Sequence, residues 1–361
     1  MQAIRVCTSF DRMDPEHVAA LPKAVLHEHL DGGLRVGTVL ELAESAGHTL
    51  PANDHAGLAA WFHQGRSGSL ERYLEAFEHT IAVMQTPEAI ERVASESVHD
   101  LAADGVVYAE VRFDPGLCTR EGLSREDVLE AATAGVAGAV NETGIDVHVI
   151  ACALRHLHDS ELAARAAVRF KDHGVVGFDL AGPEAGFPPD AHMAAIMLIR
   201  ESGLGLTLHA GEGDGPHSIW RAIALCGAQR IGHGVHIADD HRVVDGALTD
   251  LSPFARSVRD HRVPLEVAIT SNLHTASYAD AENHPFGALF RSGFNVSLNT
   301  DNRLMSDVTV SSEYSLAAQA HQLSMEDLGT ITVNAIEAGF GPWPERKRLI
   351  DDVVRPAYGI A

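Results

Sequence analysis

Eight short apolar, β-branched runs recur along this chain with helical patterns between them, an alternation that a parallel sheet with crossover helices accommodates and few other architectures do. The runs fall at residues 23–29, 105–113, 145–154, 175–181, 205–210, 230–234, 263–270 and 294–300. Eight strands close a (β/α)8 barrel, and 361 residues is a length that such a barrel commonly uses as one domain. The gaps carry helix signals. Ser124 with Asp127 three positions on has the pattern of a capping box, Asp190 precedes a stretch that Gly203 can end, and Asp159 opens a run closed near Gly174. Residues 34–103 form a gap far longer than one connecting helix requires, and read as several helices, part of which covers the mouth of the barrel. No low-complexity segment, linker or short repeat divides the sequence, so residues 1–361 are expected to form a single domain.

The ends of these runs carry chemistry. In Val25-Leu26-His27-Glu28-His29 the two histidines are two residues apart on a strand, which projects both imidazoles from one face. His209 ends the fifth run and Asp301 follows the eighth. In a barrel, the C-terminal ends of the strands converge on one face, where active sites are built. Three histidines and one aspartate suit a single zinc with room left for a water, the requirement of a catalytic site. Taken singly, the strand histidines are equally incidental residues of a half-buried strand, and Asp301 is equally a helix N-cap. The joint occurrence is what points to a metal. His233, between Gly232 and Gly234, is either a further ligand or a base beside the metal. Glu212, three residues after His209, is placed to be a general acid or base, or else is an exposed loop glutamate.

The composition bounds the partners. Fifty acidic side chains against 27 basic ones give a formal charge of −23, which repels nucleic acid and anionic membranes and suits a small neutral substrate. Cys7, Cys118, Cys152 and Cys226 form no Cys-x-x-Cys pair and read as buried free thiols. Residues 1–18 lack the apolar core of a signal peptide, and no stretch approaches a membrane span, so a cytoplasmic protein is expected.

Seven motifs, in order, carry a resemblance: Leu21-Pro22-Lys23, His27-x-His29-Leu30-Asp31-Gly32, Gly105 to Arg112, Gly177-Phe178-Asp179-Leu180-Ala181-Gly182, His209-Ala210-Gly211-Glu212, Arg230-Ile231-Gly232-His233-Gly234 and Asn299-Thr300-Asp301. From about residue 20 to about residue 355 the chain resembles the adenosine deaminase family of metal-dependent amidohydrolases. The resemblance implies one zinc per chain, held by His27, His29, His209 and Asp301, with His233 orienting or deprotonating its water so that hydroxide attacks C6 of the purine and ammonia leaves. It further implies that Glu212 protonates ring N1, that the backbone N–H of Gly182 approaches N3, and that Asp31 holds the ribose 5′-hydroxyl. Leu70, Tyr73, Leu74 and Phe77 fall where the family has an apolar lid over the purine; their spacing is also that of a packed helical face.

The chain departs from the family pattern twice. Asn302 stands where many members carry a second aspartate, and its amide can donate to purine N7 without needing a proton of its own. In Glu266-Val267-Ala268-Ile269-Thr270-Ser271-Asn272 the frequent Cys-Pro step is missing, which bears on the path of that loop and the sugar side of the pocket. The implied activity is deamination of adenosine, and of 2′-deoxyadenosine, to inosine and ammonia, with no protein partner required. Adenine or aminodeoxyfutalosine are alternative substrates, and a non-catalytic purine-binding protein is the alternative of a different class.

Overall fold

The structure is a computed structural model that describes residues 15–361 apart from Gln64 and Arg66. Cys7 and the start of the N-terminal segment lie outside the described residues. Six parallel strands follow in order, β1 (Lys23–His29), β2 (Val106–Phe113), β3 (Asp146–Leu154), β4 (Val175–Ala181), β5 (Gly205–Ala210) and β6 (Arg230–His233). A small antiparallel hairpin, β7 (Arg242–Val244) with β8 (Ala247–Thr249), interrupts the alternation before β9 (Leu265–Val267) and β10 (Val296–Leu298) complete the barrel. The sheet order is β1-β2-β3-β4-β5-β6-β9-β10. Its two ends meet where the His29 N–H donates to the Asp301 carbonyl at 2.7 Å and the Asp301 N–H donates to that of His27 at 3.0 Å. A (β/α)8 barrel is therefore the architecture.

The strands are buried almost throughout because the barrel interior takes one side and the helices the other, which is why they read as continuous apolar runs. Among the described residues, five α-helices lie between β1 and β2: Val36–Ala46, His55–Phe62, Leu70–Leu74, Phe77–Val83 and Pro87–Ala103. The Ser124–Asp127 capping box is present in both directions, starting the helix Arg125–Thr143 that Gly144 ends at φ +76°. Gly203, at φ +82°, likewise follows Met193–Ser202. Asp159 precedes Ser160–Arg169 as expected but makes no side-chain cap hydrogen bond, its carboxylate being taken by Arg125.

Two strands, β9 and β10, are less than half the length of the apolar runs that announced them. β9 stops at Val267, and Ile269–His274 turns into a helix because the buried Glu313 carboxylate accepts the N–H groups of Ile269 at 3.1 Å and Thr270 at 3.2 Å, supplying that helix with a cap from a distant element. β10 stops at Leu298 because Asn299 turns its side chain to β1, where its Oδ1 accepts from the N–H groups of Leu26 and His27. Cys118, Cys152 and Cys226 are buried free thiols. Among the described residues no helix is long and apolar enough to cross a membrane.

Candidate active site

The C-terminal ends of β1, β5 and β6, with the turn after β10, bring four side chains together. One donor atom each from His27, His209, His233 and Asp301 lies within 4.8 Å of the others. His29 joins them: its Nε2 is 3.3 Å from His209 Nε2 and 3.4 Å from Asp301 Oδ1, while His27 Nε2 is 3.2 Å from the same oxygen. Two of these residues hold uncommon backbone conformations, His233 at φ +61° and Asp301 at φ +59°, of the kind that cluster where a side chain must be aimed.

Carboxylates behind the histidines set their tautomers. His27 Nδ1 donates to Glu266 Oε2 at 3.1 Å, and His209 Nδ1 lies 2.8 Å from Asp179 Oδ2, so both rings turn an unprotonated Nε2 toward the cluster. Burial lowers the pKa values of His29, His209 and His233 and keeps these imidazoles neutral. Asp301 behaves in the opposite way: against its burial, the imidazoles of His27, His29 and His233 around it hold its carboxyl well below the usual range, and its Oδ2 accepts from Ser271 Oγ at 2.6 Å. His27 Nε2 has no hydrogen-bond partner. An unprotonated nitrogen facing a carboxylate oxygen with no proton between them, as His27 Nε2 faces Asp301 Oδ1, calls for a cation, and nitrogens and oxygens about 2.0–2.1 Å from a tetrahedral ion stand roughly 3.3–3.4 Å apart. The observed separations of 3.2–3.4 Å fit an ion of that size.

Above the cluster lies a cavity of about 430 Å³. Its walls include His29, His209, His233, Glu212 and Asp301, and every substrate-side residue expected from the sequence: Asp31, Gly182, Asn302, Leu70, Tyr73, Leu74 and Phe77. Glu212 is buried, and burial, reinforced by the charges of Asp301 and Glu184, pushes its pKa well above the normal carboxyl range and favours the neutral acid. Its Oε2 lies 3.4 Å from His233 Nε2, and its Oε1 has no partner. Asp31 Oδ1 and Asn302 Oδ1 are likewise buried without partners. Burial, with Asp114 and Asp301 nearby, raises the Asp31 pKa to about 7. Gly182 reaches the wall at φ +87°, a conformation that favours glycine. Tyr73 is less apolar than a lid residue need be, since its hydroxyl lies 2.7 Å from Ser306 Oγ.

The chain matches the family model described as adenosine deaminase over residues 22–356. It belongs to the adenosine deaminase family. An adenosine deaminase of Mycobacterium tuberculosis is 49% identical over 345 residues, covering 93% of this chain and 94% of the relative. The fold of an adenine deaminase from Arthrobacter aurescens superposes with a TM-score of 0.82 at 25% identity, over 93% of this chain and 99% of the other. One adenosine deaminase from Mycobacteroides abscessus is 47% identical over 96% of this chain and 98% of its own length.

The family reading left several supporting residues without a role. Glu266 and Asp179 orient two histidines, and Arg112, wholly buried, spans both carboxylates at 2.8 and 3.0 Å. Asn272 lies between two imidazoles, with its Nδ2 3.1 Å from His233 Nδ1 and its Oδ1 3.2 Å from His284 Nε2. The loop without the Cys-Pro step thus delivers Ser271 to Asp301 and Asn272 to His233.

Proposed function

We propose that this protein is a zinc-dependent hydrolase that deaminates adenosine, and 2′-deoxyadenosine, to inosine and ammonia. The observation that carries this reading is Glu212, a buried carboxylic acid with a free oxygen, sharing one cavity with a cluster whose donor spacing fits a tetrahedral ion. His27, His29, His209 and Asp301 would hold the metal, and neutral imidazoles with a carboxylate favour zinc over calcium or magnesium. When bound, zinc supplies Lewis acidity that makes a water nucleophilic near neutral pH.

The chain's own residues do the rest. Glu212 donates its proton to purine N1, which withdraws electron density from C6 as the new bond forms. With the Asn272 amide donating to its Nδ1, His233 keeps a proton on Nε2; this supports a place beside the metal, orienting the attacking water, rather than a place among the ligands. Asn302 donates its amide to N7, the Gly182 N–H meets N3, and Leu70, Tyr73, Leu74 and Phe77 cover the base and exclude water. Asp31 accepts the 5′-hydroxyl. Adenine is the competing substrate, given the likeness to an adenine deaminase. A free base would leave Asp31 Oδ1 without a hydroxyl to accept, which favours the nucleoside. The same reading takes residues 1–361 as one catalytic domain, supported by the continuous core that runs from Val18 to Tyr358.

The test follows the absorbance of adenosine with zinc-loaded protein. The adenosine band should give way to that of inosine with ammonia released, and Glu212→Gln should lower kcat by about 10²–10⁴-fold while retaining zinc. Absence of turnover with adenosine would reject the reading, and turnover of adenine alone would transfer it to the free base.

A further inference from the structure

Glu184, two residues beyond Gly182, is buried behind the loop that carries Glu212. Its Oε1 accepts the N–H of Gly211 at 2.6 Å, and its Oε2 accepts those of Glu212, Gly213 and Asp214 at 3.0, 2.8 and 3.2 Å. Four consecutive backbone donors thus converge on one carboxylate, a nest filled from within the chain. The loop needs this because it leaves β5 through Gly211 at φ +74°, where neither sheet nor helix can take up its N–H groups. Its carbonyl side is held separately: His236 Nε2 lies 2.9 Å from the Glu212 carbonyl oxygen, and Ser277 Oγ donates to that oxygen at 3.1 Å.

Glu184 does not line the substrate cavity. It lines a second cavity of about 230 Å³, with Gly68, Ser69, Thr275 and Ala276, and Glu212 is common to both walls. The carboxylate therefore reaches Glu212 from the side away from the substrate, and its hydrogen bonds to this loop are all to backbone N–H groups.

We propose that Glu184 is a positioning residue for the deamination, its carboxylate fixing the place of Glu212 by gathering the backbone N–H groups of residues 211–214. This rests on the assignment of Glu212 as the proton donor to N1. Proton transfer depends steeply on placement, and a displacement of about 1 Å costs about 10²-fold in rate.

Glu184→Ala leaves four donors facing a carboxylate-sized space that borders the second cavity, which makes chemical rescue the informative experiment. The expected result is a kcat for adenosine about 10²-fold lower, with zinc content and KM close to those of the native enzyme, and a saturable recovery on adding formate or acetate. The double variant Glu184→Ala, Glu212→Gln should not respond to either anion. Glu184→Gln covers the case in which the alanine variant does not fold: the volume is kept, but an amide N–H₂ replaces an acceptor, so kcat should fall again with zinc retained. A kcat within about twofold of native in either zinc-retaining variant overturns the proposal, as does joint loss of zinc and activity in both variants with no anion response, which marks a purely structural role. Inactivity of the native enzyme toward adenosine would remove the deaminase reading and this inference with it. An active native enzyme with unimpaired Glu184 variants removes the inference alone.

Discussion

Glu266 on β9 is wholly buried, and four groups donate to its carboxylate: Arg112 at 2.8 Å and His27 at 3.1 Å on Oε2, Arg230 at 2.7 Å and Thr207 at 2.9 Å on Oε1. Burial alone favours the neutral acid, but Arg112 and Arg230, with His27, outweigh it and hold the pKa well below the usual range. Glu266→Gln preserves the volume and replaces one acceptor with a donor, so an amide N–H₂ must face either Arg112 and His27 or Arg230 and Thr207. Each arginine keeps a second carboxylate, Asp179 at 3.0 Å for Arg112 and Glu110 at 2.6 Å for Arg230. The loss therefore falls near the lower end of what breaking a buried ion pair costs, about 3 kcal/mol. An unfolding entropy of about 2.1 cal/mol/K per residue over 361 residues converts this to a Tm lower by about 4 °C. A second effect is separable, because His27 loses the group that directs its Nε2 at the cluster, and zinc affinity should fall about 10–100-fold. Thermal unfolding of the metal-free protein reads the first and chelator competition the second. A Tm within about 1 °C of native together with unchanged zinc affinity would refute the assignment of Glu266 as the hub of this network.

Two further outcomes are expected. Burial, as the main cause, raises the Asp114 pKa to about 7 from 3.8, so between those values the folded protein binds the proton that the unfolded chain has released, and stability falls as pH rises through that window by at most about 1.4 kcal/mol per unit. Asp114→Asn keeps the acceptor for the Gly116 N–H, now at 2.7 Å, and should flatten the slope in urea titrations from pH 4 to 7; an unchanged slope would assign it to other carboxyls. Asn302→Ala removes an amide with no other fixed partner for its oxygen and should raise KM for adenosine about 3–10-fold with zinc content intact, whereas an unaltered KM would place the purine elsewhere in the cavity.

How far the sequence could be read depended on how local the cause was. β1, β4 and β5 begin and end where their apolar runs do, because burial on both faces leaves a signal at every position. His27, His29, His209 and Asp301 stood out as candidates because each lies near or just past the end of such a run. Ile269 and Thr270 read as the end of a strand but open a helix, because the group that turns them, the Glu313 carboxylate, is some forty positions away in sequence. The hairpin β7–β8 did leave a local sign, Asp245-Gly246 at φ +51° and +77°, a dipeptide suited to a tight hairpin turn, but its strands are too short and exposed to alternate visibly. Glu266 was visible only as one charge in an apolar run. Its partners come from β1, β2, β5 and β6, and no spacing along the chain predicts a meeting of that kind.

The seam that closes the barrel explains why fold and site were legible together at this end of the chain. Asn299 Oδ1 accepts from the N–H groups of Leu26 and His27 at 2.8 and 3.0 Å, Thr300 donates to the Glu28 carboxylate, Asp301 exchanges backbone hydrogen bonds with residues 27 and 29, and Arg303 Nε donates to Glu28 Oε1 at 2.6 Å. Backbone strain such as that of Asp301 at φ +59° costs about 1–3 kcal/mol and persists only where surrounding contacts over-determine it. Here those contacts are the closure itself. The pairing that gives the last strand its neighbour also aims the Asp301 carboxylate at His27 and His29, so the two ends of the chain cannot form the cluster without joining the sheet. Glu28, facing away from the cluster between the two histidines, is then a lock for the seam rather than a member of the site, and the alternation of a β-strand is sufficient reason for its position in His27-Glu28-His29.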